Sequence, residues 1–305
     1  MASPNHCAIL VENLHKTFRD LVAVDDLSFQ VHRGEIFGML GPNGAGKTTT
    51  IRMLLDLIKP DAGTAYVLGQ LPGQVRHRVG YLPEERGLYA NLHVNETLEY
   101  LGQLKGMSRA HAQKRAAELL ERVELSAWAK HKVQELSRGM HQKLQIIASL
   151  IHDPDLIILD EPFQGLDPVN VELVKKLIRD LRAQGKTITL SAHEMSQVEA
   201  LCERILLIDH GKPVLYGKLA DIKKQFAPHA IEIVPSLSCD GWTEVIRTEM
   251  HEQTQWVYLT PATQPRDFLK KILEQGWPVE QFGMASIPLD QIFIQVVQGK
   301  HHGHP

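Results

Sequence analysis

The most constraining feature of this sequence is a short apolar segment, Glu35 to Leu40, that runs straight into Gly41-Pro42-Asn43-Gly44-Ala45-Gly46-Lys47-Thr48. The spacing is G-x-x-x-x-G-K-[ST], and the flanks supply the context it requires, a strand before and a helix after. The helix is predicted over Thr48 to Ile58 from apolar residues at Ile51, Leu54, Leu55 and Ile58, with Lys59-Pro60-Asp61-Ala62-Gly63 ending it. Glycines are needed because only a backbone without Cβ groups can curl around phosphates and point several N–H donors inward. The helix N-terminus adds its dipole to the same anion site. Lys47 can then reach terminal phosphates, and the Thr48 hydroxyl can ligate Mg2+.

A second element supports the first. Leu156-Ile157-Ile158-Leu159-Asp160-Glu161 is an apolar strand that delivers two carboxylates at its C-terminal end, where the ligands of open parallel sheets collect. Asp160 would hold the metal, directly or through water. Glu161 would orient and polarise the attacking water as general base. A strand ending in Asp-Glu is by itself more often a solvated strand end; paired with the phosphate loop, the balance reverses.

The rest of the chain reads as strands alternating with helices. Ala8 to Leu14, Leu27 to Val31, Leu156 to Leu159, Thr187 to Leu190 and Ile205 to Asp209 read as strands, and Val169 to Ala183 as a helix. From about Asn95 to His152 the sequence is rich in Leu, Ala, Glu, Lys and Arg at helical spacing and reads as an all-helical insert closed by Pro154. Such alternation implies an α/β fold with a mostly parallel sheet covered on both faces. Around residues 225–229 the pattern changes. Ile231 to Val234, Glu244 to Arg247 and Trp256 to Leu259 are short and alternating, with helices near Arg266 to Glu274 and Leu289 to Val297. The expected division is therefore a large domain over 1–228, a small α+β domain over 229–299, and a disordered tail over 300–305. The three histidines of that tail are read as a solvated end rather than a metal site.

Bulk properties exclude several classes. With 33 Lys and Arg against 36 Asp and Glu, the net charge of −3 argues against a strongly basic nucleic-acid binder, and no nucleic acid is expected as partner. No signal peptide is visible, and no apolar stretch approaches the roughly 20 residues of a spanning helix, so any membrane role is expected to be borrowed from a partner. Cys7, Cys202 and Cys239 are scattered, lack metal-ligand spacing and are expected to be free thiols.

Four further motifs occur in an order that resembles the nucleotide-binding domain of ABC transporters. Leu136-Ser137-Arg138-Gly139-Met140-His141-Gln142-Lys143 is similar to the family signature, Gly165-Leu166-Asp167-Pro168 to the D-loop, and Ser191-Ala192-His193-Glu194 to the switch segment. Phe18, in Lys16-Thr17-Phe18-Arg19, occupies the place of the aromatic that stacks on adenine. The resemblance covers roughly Ala8 to Lys224. It implies a P-loop NTPase core with a helical and an antiparallel β subdomain, ATP and Mg2+ as cofactors, and two such domains pairing face to face.

Each site role then follows as an implication. Asn43, Gly44, Ala45, Gly46, Lys47, Thr48 and Thr49 would contact the phosphates, with Val24 joining Phe18 near the base. Ser137 and Gly139, with Asp167, would complete the site of a second subunit. His193 would contact the γ-phosphate. The catalytic set is Glu161, His193 and Lys47, and the metal set is Thr48, Asp160 and Glu84.

Two departures stand out. Glu84 replaces the glutamine usual after the third strand, in Val79-Gly80-Tyr81-Leu82-Pro83-Glu84-Glu85-Arg86, and Arg138 and Met140 stand where glycine and glutamine are the norm. The Glu84 region with Gly87-Leu88-Tyr89, and Ala285 to Phe293, resemble a subgroup of bacterial exporters with a small C-terminal domain, among them sodium-extruding and drug-resistance pumps. The expected role is the ATPase subunit of an exporter at the cytoplasmic face of the membrane, working with separate transmembrane permease subunits. The alternatives are a cytosolic ABC protein of translation or DNA repair, and an importer motor.

Overall fold

The computed structural model describes residues 7–85, 87–239, 241–251, 253–297 and 299; the six-residue tail expected to be disordered lies outside them. The chain divides between Leu219 and Ala220 into two compact units, ahead of the junction expected near residue 228.

The first unit opens with two long strands, β1 (Cys7–Phe18) and β2 (Leu21–His32), joined at Arg19-Asp20 with Arg19 at φ 51°. Each has 12 residues, where the sequence suggests strands of about half that length. Register shifts between Val11 and Leu14 and between Leu14 and Lys16 explain the difference, because each bulge breaks the period-two alternation that marks a strand. β3 (Ile36–Leu40) is buried throughout and feeds the glycine loop, and α1 (Lys47–Leu54) leaves it. The helix stops four residues short of expectation because Asp56 adopts φ 56°.

β4 (Ala62–Val67) and β5 (Val79–Leu82) follow. Three helices then make up the helical insert, α2 (Val94–Leu104), α3 (Arg109–Arg122) and α4 (Arg138–Leu150). Beyond it run β6 (Leu156–Asp160), α5 (Pro168–Ala183), β7 (Thr187–Ala192), α6 (Met195–Glu199), β8 (Arg204–Asp209) and β9 (Lys212–Lys218), with α7 (Leu219–Phe226) at the division.

Two sheets organise this unit. β2, β1 and β4 form an antiparallel sheet in that order. The larger sheet has the order β5-β6-β7-β3-β8-β9, parallel except for β9. β3, β6 and β7 are buried on both faces, as strands of a parallel sheet with helical cover must be. Ile9, Val11 and Leu27 of the small sheet share one core with Phe37, Met39 and Leu206 of the large one. Phe29 stacks on Phe37 across the layers, with ring centroids 5.8 Å apart. Burying a side chain of this size contributes about 2–3 kcal/mol. Because Leu40 pairs with Ala192 and Asp160 with Ser191, the C-terminal ends of β3, β7 and β6 lie side by side.

The second unit holds β10 (Ala230–Val234), β11 (Val245–His251), β12 (Thr254–Leu259), α8 (Pro265–Glu274), β13 (Gln281–Met284) and α9 (Leu289–Val297). Its antiparallel sheet has the order β11-β12-β10-β13. Alternate residues Ile231, Ile233, Val257 and Leu259 build the core with Phe268 and Ile272, one turn apart on α8. β13 escapes sequence reading because Gln281-Phe282-Gly283-Met284 is short and contains a glycine.

Candidate active site

The glycine loop is wedged between parts of the first unit that leave no room for side chains. Gly41 has φ 147°, and a Cβ there would stand 2.1 Å from the Ile208 carbonyl oxygen. Gly46 has φ 107°, and its Cβ would stand 2.4 Å from the Ala23 carbonyl oxygen. The Gly211 N–H donates to the Ala45 carbonyl at 3.0 Å, which ties the loop to the turn between β8 and β9. Gly46 caps α1, whose first turn carries no acidic side chain to compete with an anion.

Lys47 is buried, and its Nζ donates to the Gly41 and Pro42 carbonyls at 2.7 and 3.1 Å. Burial lowers its pKa, while Glu161, Asp160 and Glu84 oppose that shift, so all three carboxylates face the ammonium electrostatically. Thr48 and Thr49 are half-buried beside it, and Asn43 and Gly44 are exposed at the loop's tip.

At the end of β6, Asp160 is 1% exposed. The Ser191 hydroxyl donates to its Oδ1, and its Oδ2 has no hydrogen-bond partner. The same hydroxyl accepts the Glu161 N–H at 3.1 Å. Glu161 takes φ 52°, a left-handed conformation that a branchless glutamate adopts only under the hold of its surroundings. Its Oε2 lies 2.9 Å from His193 Nδ1. Burial pushes the Glu161 carboxyl up, against the lowering effects of His193 and Lys47. A carboxylate with a raised pKa and a water-facing neighbour is suited to accept a proton.

The structure thus brings Lys47, Asp160, Glu161, Glu84 and His193 to one place. Ser137 and Gly139 form a second group. Ser137 caps α4 by accepting the Met140 N–H at 3.3 Å, and Gly139 sits against Leu166 and Gly165. Asp167 is exposed and caps α5, accepting from the Asn170 N–H at 2.9 Å, which holds its carboxyl below the usual range. Phe18 is exposed at the end of β1, its ring 5.4 Å from Lys16 Nζ.

Val24 is fully buried and packs against the glycine loop, its Cγ2 3.5 Å from where a Cβ at Gly46 would stand. Two residues without an expected role of their own matter. Ser191 ties the Asp160 carboxylate to the Glu161 backbone N–H, and the Gln142 side chain donates to the Glu161 and Pro162 carbonyls at 3.3 and 3.1 Å. The sequence signal for Gln142 is its place on the signature helix; that for Ser191 is the hydroxyl just before the histidine strand end.

The family model described as ABC transporter matches residues 24–164. An uncharacterized ABC transporter ATP-binding protein of Methanocaldococcus jannaschii is 47% identical over 219 residues, 72% of this chain and 80% of that one. The chain belongs to the ABC transporter ATP-binding proteins. A second relative, the Nod factor export ATP-binding protein I of Ralstonia nicotianae, is 42% identical over 75% of this chain and 70% of its own length. Among solved structures, an ATP-binding cassette in a dimeric post-hydrolysis state bound to ADP and Pi superposes with a TM-score of 0.64 at 27% identity, covering 69% of this chain and 98% of that one.

As an ABC transporter subunit the chain binds ATP and hydrolyses it. The loop and Lys47 gather cationic and N–H donor groups, and the Glu161 carboxylate is held by His193 beside them. The relatives that decide the family are transporter subunits, which favours transport over the translation or DNA-repair alternative. Among the described residues no helix is long and apolar enough to cross a membrane.

Proposed function

We propose that two copies of this chain close on ATP and drive export through separate membrane-spanning subunits, at the cytoplasmic face of the membrane. The observation that carries this reading is the buried pair Asp160 and Glu161 beside Lys47, with one carboxylate oxygen of Asp160 left without a partner. A buried anionic oxygen with no donor costs several kcal/mol unless a cation or donor meets it. Mg2+ fits there. Among the described residues no three His, Cys, Asp or Glu side chains form a metal set by themselves, so Asp160, Thr48 and Glu84 would hold the ion together with the phosphates. When bound it would neutralise phosphate charge.

In the reaction, a water oxygen bonds to the γ-phosphorus, the bond to the bridging oxygen breaks, and Glu161 takes the proton from the water. ADP and phosphate result. His193 holds Glu161 in place at 2.9 Å and would contact the γ-phosphate. Ser137, exposed, and Gly139, half-buried beside it, would close over the phosphates of a second copy, as the dimeric cassette structure supports. Phe18 offers its exposed ring to the base. Export, rather than uptake, is supported by the Nod factor export relative. The second unit is read as an accessory domain.

A groove of about 400 Å³ suits the membrane partner. Leu55, Leu57, Tyr81, Leu88, Leu101 and Leu104 line it, and no carboxylate does. Leu57, Leu104, Tyr89 and Tyr100 are exposed at or near its rim. Arg76 is neutralised by Asp56 at 2.8 Å, whereas the shown bond of Lys105 Nζ goes to the Arg76 carbonyl at 3.3 Å. His152 Nδ1 has no partner, and burial pushes that ring's pKa down to about 4. The groove therefore suits an apolar segment carrying a carboxylate. Gln145, in its wall, donates to the Glu85 carbonyl at 3.4 Å, next to Glu84. A segment seated there would bear on the loop that faces Lys47.

Co-purification with the membrane subunits and reconstitution in vesicles test this. Lys47→Ala is expected to weaken nucleotide binding by on the order of 100-fold. Lys105→Glu is expected to leave basal ATPase intact and to abolish its stimulation by the membrane subunits. Full stimulation of the Lys105 variant would exclude the groove.

A further inference from the structure

β11 is the outer strand of the second unit's sheet, and among the described residues its far edge is unpaired. Ile246 and Met250 stand on it 62% and 59% exposed, a high apolar exposure for an edge strand without proline. His251 pairs with Thr254 at the end of the hairpin, so that closely spaced pair is hydrogen-bonded, and the alternation of an antiparallel ladder turns the amide and carbonyl of Thr248 and Met250 away from β12. The edge is a row of free donors and acceptors.

The sequence of that edge is self-complementary. If a second β11 lies antiparallel with Thr248 opposite Thr248, Ile246 faces Met250, and Arg247 faces Glu249 on both sides of the centre. Arg247 and Glu249 lie 2.7 Å apart within one strand, so the two copies would alternate cation and anion around a two-fold axis. The neighbouring registers, centred on Arg247 or on Glu249, would set like charges opposite one another. A two-fold contact is the isologous interface expected of a homodimer.

We infer that β11 pairs with β11 of a second copy, joining two second units into one continuous sheet centred on Thr248. A single strand pair is weak alone, and it acts here as a second contact in a dimer that ATP closes elsewhere. To that extent it rests on the proposed ATP-driven pairing, but the register depends on the second unit alone. Val245 and Arg247 flank a bulge in the ladder with β12, so the pairing is regular from Arg247 to His251 and Ile246 meets Met250 at its margin.

Cysteine cross-linking in the full chain decides it. Thr248→Cys, placed in the Glu161→Gln background and oxidised with and without ATP, is expected to give a disulfide-linked dimer absent from the parent, because a hydrogen-bonded antiparallel pair sets the Cα atoms about 5.5 Å apart, within disulfide reach. Arg247→Glu or Glu249→Arg added to it is expected to lower the cross-linking rate about tenfold, and mixing the two chains to restore it. Should Thr248→Cys disturb folding, Ile246→Cys mixed with Met250→Cys reads the same register. An ATP-dependent dimer that forms no cross-link at either pair overturns the strand pairing and leaves the ATP reading standing. A cross-link without any ATP-dependent dimer does the reverse. Charge reversals without effect, or cross-linking to a different protein, also overturn it.

Discussion

Two buried polar side chains, Gln255 of the second unit and Asp160 of the first, are treated in opposite ways. In the second unit the buried polar side chain among the described residues is Gln255, and it is closed on both sides. Its Oε1 accepts the Leu237 N–H at 2.6 Å, and its Nε2 donates to the Leu237 carbonyl at 2.9 Å. In the first unit Asp160 is equally buried, yet one oxygen has no partner, and Glu161 and Lys47 beside it carry pKa values displaced by burial. A satisfied buried amide is architecture, because its cost is met within the fold. An unsatisfied buried carboxylate is held ready for something that arrives later. The contrast locates chemistry in one unit and packing in the other.

The sharpest way to break this contrast is Glu161→Gln. It keeps the shape and the His193 contact but removes the proton acceptor, so turnover is expected to fall at least about 100-fold while ATP binding persists and an ATP-bound dimer accumulates, seen by gel filtration. Normal turnover would mean that the base has been placed on the wrong side chain. Next in size is Gln255→Leu. It strands the Leu237 N–H and carbonyl, and the second unit is expected to lose about 2 kcal/mol or more in denaturant unfolding, with ATP turnover unchanged. A loss of turnover there would join the two units functionally.

The smallest effect concerns pH. Burial raises the Glu161 pKa, so at any mildly acidic pH a larger fraction is protonated, and inactive, than for an ordinary glutamate. The acid limb of the kcat profile is expected to lie above the usual carboxylate range. His193→Ala removes the group that lowers that pKa, and should move the limb further up.

Much of the site was legible because its residues are consecutive. Gly41 to Thr48 and Leu156 to Glu161 each carry their chemistry within a few positions, and strand, loop and helix follow from local spacing. The helical insert was legible for the same reason, since α2, α3 and α4 all fall within the segment from Asn95 to His152. β1 and β2 were only half legible, because bulges disrupt their alternation.

By itself the sequence determined which side chains are available: a lysine at a helix start, two carboxylates at a strand end, a histidine after another. Local spacing is enough for that, since the periods of helix and strand are properties of short segments. Only the tertiary structure decided that they meet. The register of β6 on β7 aligns Asp160 with Ser191 and brings His193 to Glu161, and β7 on β3 sets the glycine loop alongside. The β7–β3 pairing joins residues more than a hundred positions apart, such as Leu40 and Ala192, and what selects both pairings is the burial of β3, β6 and β7 on both faces, a property of the whole core rather than of any one segment.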